Sequence, residues 1–341
     1  MLALIIAAGL AIIAAPARAD PGLTGGWPEP GTISQVTQEA VTFPSSSPFL
    51  LTDAGSRGAE PTTAYGTLFL PAGRQEPRSL PAVVMLHGSG GVLAARELTY
   101  GKQLAAMGVV ALAVDAFSAR RDRGTRFTER LLNITETMLV ADGYAGLAYL
   151  AARPEVDPDR VALVGFSYGA MATMYALNAQ VAERLARDGH RFAGHAAFYG
   201  PCIARFADRR TTGAPLLLLY GDADEIIDRG RCDEAAADFR AGGSEVETVV
   251  YPGAVHQWDG SSGRRLIGRN LAGCDFVVRA DGTVQDRNSG FVMTGSLMRK
   301  LLLSLCVEDR PYPLGRDDAV RRQSNNDLGR FLTRVFRLPA G

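Results

Sequence analysis

Short runs of consecutive apolar residues, separated by helical stretches, constrain the fold of this 341-residue chain most strongly. Residues 81–86 (PAVVML) have the pattern of a strand that is buried on both faces of a sheet. Further strands are predicted at residues 64–70, 109–114, 161–164, 196–199, 215–220 and 247–251. Helices are predicted at residues 94–107, 129–153, 169–187 and 233–241. This alternation predicts an α/β fold with a mostly parallel sheet and helices on both faces.

The alternation of predicted strands and helices stops after residue 256. Residues 274–284 (CDFVVRADGTV) predict a hairpin with an Asp-Gly turn. We therefore expect residues 260–325 to form a C-terminal insertion that contains cysteines. Residues 326–336 are predicted to form the final helix, and residues 20–341 to form a single domain.

The beginning of the chain is typical of an export signal. Residues 1–15 are nearly all apolar and are followed by Ala17-Arg18-Ala19, which fits an A-x-A cleavage site. A signal peptide at residues 1–19 predicts a periplasmic or secreted protein with no stable membrane span after cleavage. An uncleaved anchor helix is the alternative, although the apolar run is shorter than the roughly 20 residues that a bilayer span needs.

Charge and cysteine content narrow the partners and cofactors. The 36 basic and 36 acidic residues balance, so no basic field predicts a nucleic-acid partner.

In an exported chain, an even number of cysteines favours disulfides. Three pairings are possible, and we expect the neighbours to pair because this closes the shortest loops: Cys202–Cys232 and Cys274–Cys306. No C-x-x-C pair is present, so no metal site is predicted.

A G-x-S-x-G motif carries the candidate nucleophile, Ser167. A serine hydroxyl attacks a carbonyl carbon only when a base takes its proton and the turn that holds it exposes its Oγ. The motif lies between the predicted strand at residues 161–164 and the predicted helix at residues 169–187, which is the context that such a turn requires. Its residues are Gly165-Phe166-Ser167-Tyr168-Gly169.

Chain order selects the base and the acid. In folds with this kind of nucleophile turn, the order along the chain is nucleophile, acid, base. His256 is the histidine that follows both Ser167 and a carboxylate at a strand end; the other three histidines are His87, His190 and His195. Asp224 is the predicted acid, with Asp222 as its rival and Glu225 third.

The oxyanion of the reaction needs two backbone N–H donors. One is predicted at Tyr168, directly after the nucleophile. The other is predicted in the glycine-rich loop after residues 81–86, at Ser89 or next at Gly90. A phosphate-binding loop is the rival interpretation, but its glycine pattern does not match.

Aromatic and basic residues near these motifs are candidates for substrate binding. Phe117 and Trp258 are predicted to line an apolar substrate pocket. Arg120, Arg121 and Arg123 either attract an anionic substrate or form a solvated basic loop.

Taken together, the motifs resemble the α/β-hydrolase superfamily and, more narrowly, the dienelactone hydrolase family. The resemblance covers residues 64–256 and a final helix near residues 326–336. It rests on HGSGG, the motif around Ser167, Gly221-x-x-Asp224 and Tyr251-Pro-Gly-Ala-x-His256. It implies an α/β-hydrolase fold and hydrolysis of a small carboxylic ester or lactone through an acyl-enzyme, without a cofactor.

The chain departs from the family pattern at two positions. Ser167 stands where the family usually has a cysteine nucleophile, and His87 stands where it has a glutamate near the oxyanion loop. Two other functions are open at this point. One is a serine peptidase related to prolyl oligopeptidases, and the other is a non-catalytic binding protein on a hydrolase scaffold.

Overall fold

The computed structural model describes residues 22–56, 59–186 and 188–339. The predicted signal peptide at residues 1–19 lies outside the described residues. Within the described ranges, no helix combines the length and the apolar character that a membrane crossing requires.

An eight-stranded sheet forms the centre of the fold, with the strand order β1-β2-β4-β3-β5-β6-β8-β9. The six strands from β4 to β9 in this order run parallel, and β1 and β2 form an antiparallel edge. This confirms the predicted mostly parallel sheet. The strands of this sheet are β1 (Val36–Ser47), β2 (Glu60–Pro71), β3 (Leu80–Leu86), β4 (Val110–Asp115), β5 (Val156–Phe166), β6 (Gly194–Phe198), β8 (Leu216–Gly221) and β9 (Val246–Tyr251), with β7 (Ala204–Phe206) outside it.

Both faces of the sheet are covered, as the apolar runs predict. All seven residues of β3 are buried. Val84 and Leu86 pack into one apolar core, while Val83 and Met85 pack into a second core on the opposite face. Because side chains alternate across a strand, a strand with two covered faces must be apolar at every position.

Two predicted helices are each divided in two. The stretch at residues 129–153 forms α2 and α3, and the stretch at residues 169–187 forms α4 and α5. The breaks fall at Thr135 and Asn178, both in extended conformation directly before a new helix. Threonine and asparagine are common at such positions, and an apolar period alone does not reveal the break. The helices are α1 (Thr99–Ala106), α2 (Phe127–Asn133), α3 (Glu136–Ala151), α4 (Tyr168–Ala176), α5 (Ala179–Leu185), α6 (Arg229–Ala241), α7 (Ser296–Cys306) and α8 (Asp318–Val335).

The insertion forms a small layer of its own against the core. Its strands are β10 (Arg265–Ile267), β11 (Phe276–Val278), β12 (Val284–Asp286), β13 (Val292–Met293) and β14 (Tyr312–Leu314). β11 and β12 form the predicted antiparallel hairpin, and β11 also pairs in parallel with β7 of the core. α8 begins at Asp318, eight residues before the predicted start, because the side chain of Asp317 caps it by accepting from the amides of Ala319 and Val320.

Two disulfides connect these elements, in the expected pairing. Cys202 is bonded to Cys232, and Cys274 is bonded to Cys306. The first joins the segment before β7 to α6, and the second joins the segment before β11 to the end of α7. The insertion is therefore closed on itself by a covalent bond.

Candidate active site

The motif around Ser167 forms a strained turn between β5 and α4. Ser167 has φ 53° and ψ −111°, which is unfavourable for a residue with a side chain. A methyl group on Gly165 would lie 2.2 Å from the Gly169 oxygen, and one on Gly169 would lie 2.2 Å from the Leu86 oxygen. Both motif glycines are therefore needed for backbone to approach backbone, and the turn leaves Ser167 partly exposed.

The structure brings the three predicted triad residues together. Nε2 of His256 lies 2.9 Å from Oγ of Ser167, and Nδ1 of His256 lies 2.7 Å from Oδ2 of Asp224. Because a carboxylate only accepts, Nδ1 carries the proton and Nε2 is free to accept from the serine hydroxyl. His256 and Asp224 are each only 4% exposed. This arrangement can move a proton from Ser167 to His256 and hold the resulting imidazolium beside a carboxylate.

The rival acid, Asp222, has a different position. Its Oδ1 accepts from the amide of Gly253 at 2.6 Å, so it caps the loop that leads to His256. Asp224 also accepts from the amide of Ile226 at 3.2 Å, which orients its carboxylate. The structure therefore places Asp224 rather than Asp222 against the imidazole.

The loop that carries His256 is supported by the insertion, which sequence reasoning did not anticipate. His256 forms a β-bridge with Leu314, and the amide of Gly315 donates to the His256 oxygen at 2.9 Å. The rings of Tyr199 and Tyr312 meet the imidazole edge to face, with centroids at 4.9 and 5.7 Å. No local motif marks residues 312–315 as partners of His256, because the contact joins segments that are far apart in the chain.

The predicted oxyanion donors belong to two segments that lie next to Ser167, the start of α4 and the glycine-rich loop. The amide of Tyr168 belongs to the first turn of α4, where N–H groups have no acceptor within the helix. The glycine-rich loop passes beside the nucleophile, since a methyl group on Gly88 would lie 3.4 Å from Cβ of Ser167. Ser89 is half-buried in this loop. The loop turns tightly, with the Gly91 amide donating to the Gly88 oxygen at 3.0 Å.

The side chain of Tyr168 points away from the serine and into a buried polar contact. Its hydroxyl donates to the Ile134 oxygen at 2.7 Å and lies 3.5 Å from Nη2 of Arg299. Arg299, on α7, forms a two-pronged ion pair with Glu136 at 2.9 and 3.0 Å. Burial opposes the charge of Arg299, but the Glu136 carboxylate raises the pKa of its guanidinium above the ordinary value. Sequence reasoning missed this link because Arg299 follows no recognisable motif.

The two predicted substrate-binding aromatics are both buried. Trp258 has no exposed surface, and its Nε1 donates to Ser324 Oγ at 3.1 Å. Phe117 is 6% exposed and packs against the ring of His87 at 4.4 Å. Both rings are close to motifs in sequence, but Phe117 packs into one apolar core and Trp258 into the other.

The three arginines after β4 do not all face solvent, as a cluster that attracts an anionic substrate would require. Arg120 is buried and pairs with Asp142 through two hydrogen bonds of 2.6 and 3.0 Å. Arg123 is paired with Glu60 at 2.5 Å, and Arg121 is exposed. Arg120 also donates to Ser46 and Ser47, so it joins β1 to α3 and is not available to a substrate.

Two further features concern where a ligand or a metal ion could bind. An apolar cavity lies where the insertion meets the core, with Glu136 and Arg299 in its wall and without any triad residue among its lining. Within the described ranges, no three histidine, cysteine, aspartate or glutamate side chains are grouped closely enough to hold a metal ion.

Known proteins show similarity to most of this chain. The model of the dienelactone hydrolase family matches residues 67–270. A candidate esterase from Nocardia uniformis subsp. tsuyamanensis, NocK, is 31% identical over 245 residues, which is 68% of this chain and 66% of the relative. A candidate carboxymethylenebutenolidase from Methylorubrum extorquens is 29% identical over 165 residues, which is 46% of this chain and 55% of the relative. The chain thus matches less than two thirds of the length of either curated relative.

A solved structure supports the fold over nearly the whole chain. Thermogutta terrifontis esterase 2, phosphoramylated by tabun, covers 92% of this chain and 98% of its own, with a TM-score of 0.53 and 14% identity. At this identity the likeness concerns the fold alone. Because the family model covers more than half of the residues, this protein belongs to the dienelactone hydrolase family, with the α/β-hydrolase fold.

Proposed function

We propose that this protein is a serine hydrolase that cleaves a small carboxylic ester or lactone through an acyl-enzyme intermediate. The observation that carries the proposal is the hydrogen-bonded chain from Asp224 through His256 to Ser167, at 2.7 and 2.9 Å. The names of the two curated relatives, an esterase and a lactone hydrolase, support this substrate class.

In the acylation step, Oγ of Ser167 attacks the substrate carbonyl carbon while Nε2 of His256 takes the hydroxyl proton. Asp224 keeps Nδ1 protonated and stabilises the imidazolium as it forms. The amides of Tyr168 and Ser89 donate to the oxyanion, which gains negative charge in this step. His256 then returns the proton to the departing alkoxide, and the acyl group stays on Ser167.

In the deacylation step, water takes the place of the alcohol. Nε2 of His256 accepts a proton from the water as its oxygen attacks the acyl carbon. The proton then moves to Oγ of Ser167, and the carboxylic acid leaves. The net reaction is ester plus water to acid plus alcohol, with the enzyme regenerated and no electron transfer.

The nucleophile is tested with p-nitrophenyl acetate, butyrate and octanoate. We expect wild type to release p-nitrophenol and Ser167→Ala to reduce kcat by at least about 1,000-fold, since the alanine leaves no nucleophile for His256 to activate. A fluorophosphonate should add its mass to the peptide containing Ser167. Ser304→Ala, which changes a serine exposed on α7, is the matched control and should behave as wild type.

Three outcomes would contradict the proposal. Ester hydrolysis that survives in Ser167→Ala would remove Ser167 from its role. Hydrolysis of alanyl-prolyl p-nitroanilide in preference to every ester would indicate a peptidase. Binding of esters without turnover, in a correctly folded wild type, would indicate a binding protein.

We also propose that the protein is exported and acts in the periplasm or outside the cell. The two disulfides support this, because disulfides persist in oxidising compartments and are rare in the cytosol. N-terminal sequencing of the protein from cell fractions checks the proposal. An intact Met1 on a cytosolic protein would contradict it.

A further inference from the structure

His87 occupies the junction between β3 and the glycine-rich loop, and its ring is 1% exposed. Its Nδ1 lies 2.7 Å from the Gly88 oxygen, and its Nε2 lies 3.2 Å from the amide nitrogen of Ala116. The ring therefore connects the segment that follows β3 with the segment that follows β4. Neither ring nitrogen contacts Ser167.

The two partners allow a single protonation state of this histidine. The Ala116 amide can only donate, so Nε2 carries no proton; the Gly88 carbonyl can only accept, so Nδ1 carries one. Burial lowers the pKa of His87, against the smaller opposing effect of Glu97, and this favours the same neutral form. Both nitrogens are occupied in that form, so His87 cannot serve as a base for Ser167.

The contact with Gly88 controls the direction of a neighbouring donor. The Gly88 carbonyl and the Ser89 N–H belong to one planar, trans peptide unit, in which they point in opposite directions. A hydrogen bond that fixes the direction of the Gly88 oxygen therefore also fixes the direction of the Ser89 N–H. That N–H then points away from His87.

The loop needs this restraint because of its composition. Three of its residues, Gly88, Gly90 and Gly91, are glycines, which restrict the backbone least. On the far side of the loop, the Leu93 amide donates to Glu97 at 2.8 Å and holds the beginning of a short helical segment, Ala94–Leu98, that leads into α1. On the near side, where Ser89 lies, the Gly88 oxygen accepts from Nδ1 of His87 at 2.7 Å and from the Gly91 amide at 3.0 Å.

We propose that His87 is a positioning residue that holds the Gly88–Ser89 peptide so that the Ser89 N–H is aligned to donate to the reaction's oxyanion. The proposal rests on the proposed function, because it assigns a role within the same reaction. Ser89 donates to the oxyanion, and His87 acts through Gly88 without contacting the substrate.

The test compares three variants of His87 with a control. His87→Phe keeps an aromatic ring and removes both hydrogen bonds. His87→Asn places an amide near the former Nδ1, where it can still donate to Gly88, and His87→Gln places an acceptor near the former Nε2. The control is His195→Phe, which changes another fully buried histidine, on β6, with one hydrogen bond to Thr173.

We expect His87→Phe to lower kcat by about 10- to 100-fold per active site, because a small displacement of a donor is costly in the transition state. Active sites are counted by fluorophosphonate labelling carried to completion. KM should change little, and an alkyl boronic acid, which forms a tetrahedral adduct with the serine, should bind more weakly by the same factor as kcat/KM falls. His87→Asn should recover most of the loss, and His195→Phe should retain wild-type kcat.

Equal kcat and equal boronic acid affinity in His87→Phe and His195→Phe would overturn the proposal while leaving the esterase function intact. Hydrogen exchange provides a readout that does not depend on activity. The amides of residues 88–93 should exchange faster in His87→Phe than in His195→Phe, and unchanged exchange would overturn the proposal even if wild type hydrolyses no ester. If His87→Phe does not fold, the comparison of His87→Asn with His87→Gln decides. Since His87→Asn keeps the donor to Gly88, equal kcat in the two variants would contradict a role through Gly88.

Discussion

His256 is held from three directions, each by a different part of the chain. Asp224 contacts Nδ1 from the loop after β8, the Tyr199 ring packs against the imidazole from the end of β6, and Gly315 binds the backbone from the insertion. Such contacts restrict the ring to one orientation, with Nε2 toward Ser167. The imidazole is therefore positioned before any substrate arrives, which is what a general base needs.

The assignment of Asp224 as the acid predicts how strongly each of the two aspartates affects kcat. Asp224→Asn should lower kcat by about 10⁴-fold, because an amide can stabilise the wrong tautomer of His256 and cannot stabilise the imidazolium. Asp222→Asn should stay within about threefold of wild type, since its side-chain oxygen can still accept from Gly253. Steady-state kinetics with p-nitrophenyl butyrate measure both, and a larger loss in Asp222→Asn would reverse the assignment.

At the scale of elements, α7 connects the insertion to the residues around the nucleophile. Arg299 lies on its buried face and pairs with Glu136 in the first turn of α3, within reach of the Tyr168 hydroxyl. Its outer face carries Leu297, Leu301 and Leu305, which are 82%, 45% and 62% exposed. The helix is thus anchored through one buried ion pair and a disulfide rather than through its leucine-rich outer face.

This arrangement predicts a large cost for removing one partner of the ion pair. Arg299→Ala should lower the free energy of unfolding by about 3 kcal/mol, because it leaves the Glu136 carboxylate, whose side chain is only 17% exposed, without its counter-charge. Leu305→Ala, on the exposed face of the same helix, should change it by less than about 0.5 kcal/mol.

Urea unfolding measures these free energies. The double variant Glu136→Gln/Arg299→Met should recover part of the loss, since no uncompensated charge remains. A double variant that is less stable than Arg299→Ala would show that the ion pair itself is not what stabilises α7.

At the scale of the whole molecule, the core contains ionisable groups whose charge depends on folding. His195 lies on β6 with no exposed surface, and burial lowers its pKa from 6.5 to about 4. The unfolded chain therefore binds a proton at this residue below about pH 6.5, whereas the folded chain does so only near pH 4. The associated stability is fully present above pH 6.5 and is lost as the pH falls toward 4.

The expected size of this effect makes it measurable. When the pH falls from 7.5 to 5, the free energy of unfolding of wild type should decrease by about 2 kcal/mol because of His195. The decrease is about 1.4 kcal/mol for each pH unit below the pKa of the unfolded chain. His195→Phe should lose correspondingly less over the same interval. Urea unfolding at both pH values gives the difference, and identical losses in the two proteins would contradict the burial argument.

The sequence predicted the parts of the site that depend on local backbone geometry. The glycines around Ser167 are required by the turn itself, and the predicted strand before it and helix after it are present. Chain order was enough to select Ser167 and His256 and to place the acid among the carboxylates that follow β8, because parallel strands end at one edge of the sheet. The disulfides join the expected neighbours, although the sequence left three pairings open.

Other features depended on contacts between residues that are far apart in the chain, which a local sequence pattern does not reveal. Trp258 and Phe117 lie near motifs in sequence but pack into the apolar cores, through contacts with residues that are distant along the chain. The predicted helices at residues 129–153 and 169–187 are interrupted at Thr135 and Asn178, which the apolar period does not show.

The sequence by itself therefore determined the sheet, the nucleophile turn and the order of the triad, since each follows from periodicity or from steric limits within a few residues. The tertiary structure alone decided which carboxylate meets His256, how His87 holds the oxyanion loop and how α7 is anchored near Tyr168. These depend on contacts between distant segments, such as Glu136 and Arg299, which are 163 residues apart in the chain. Only the packing of the complete chain brings such segments within hydrogen-bonding distance.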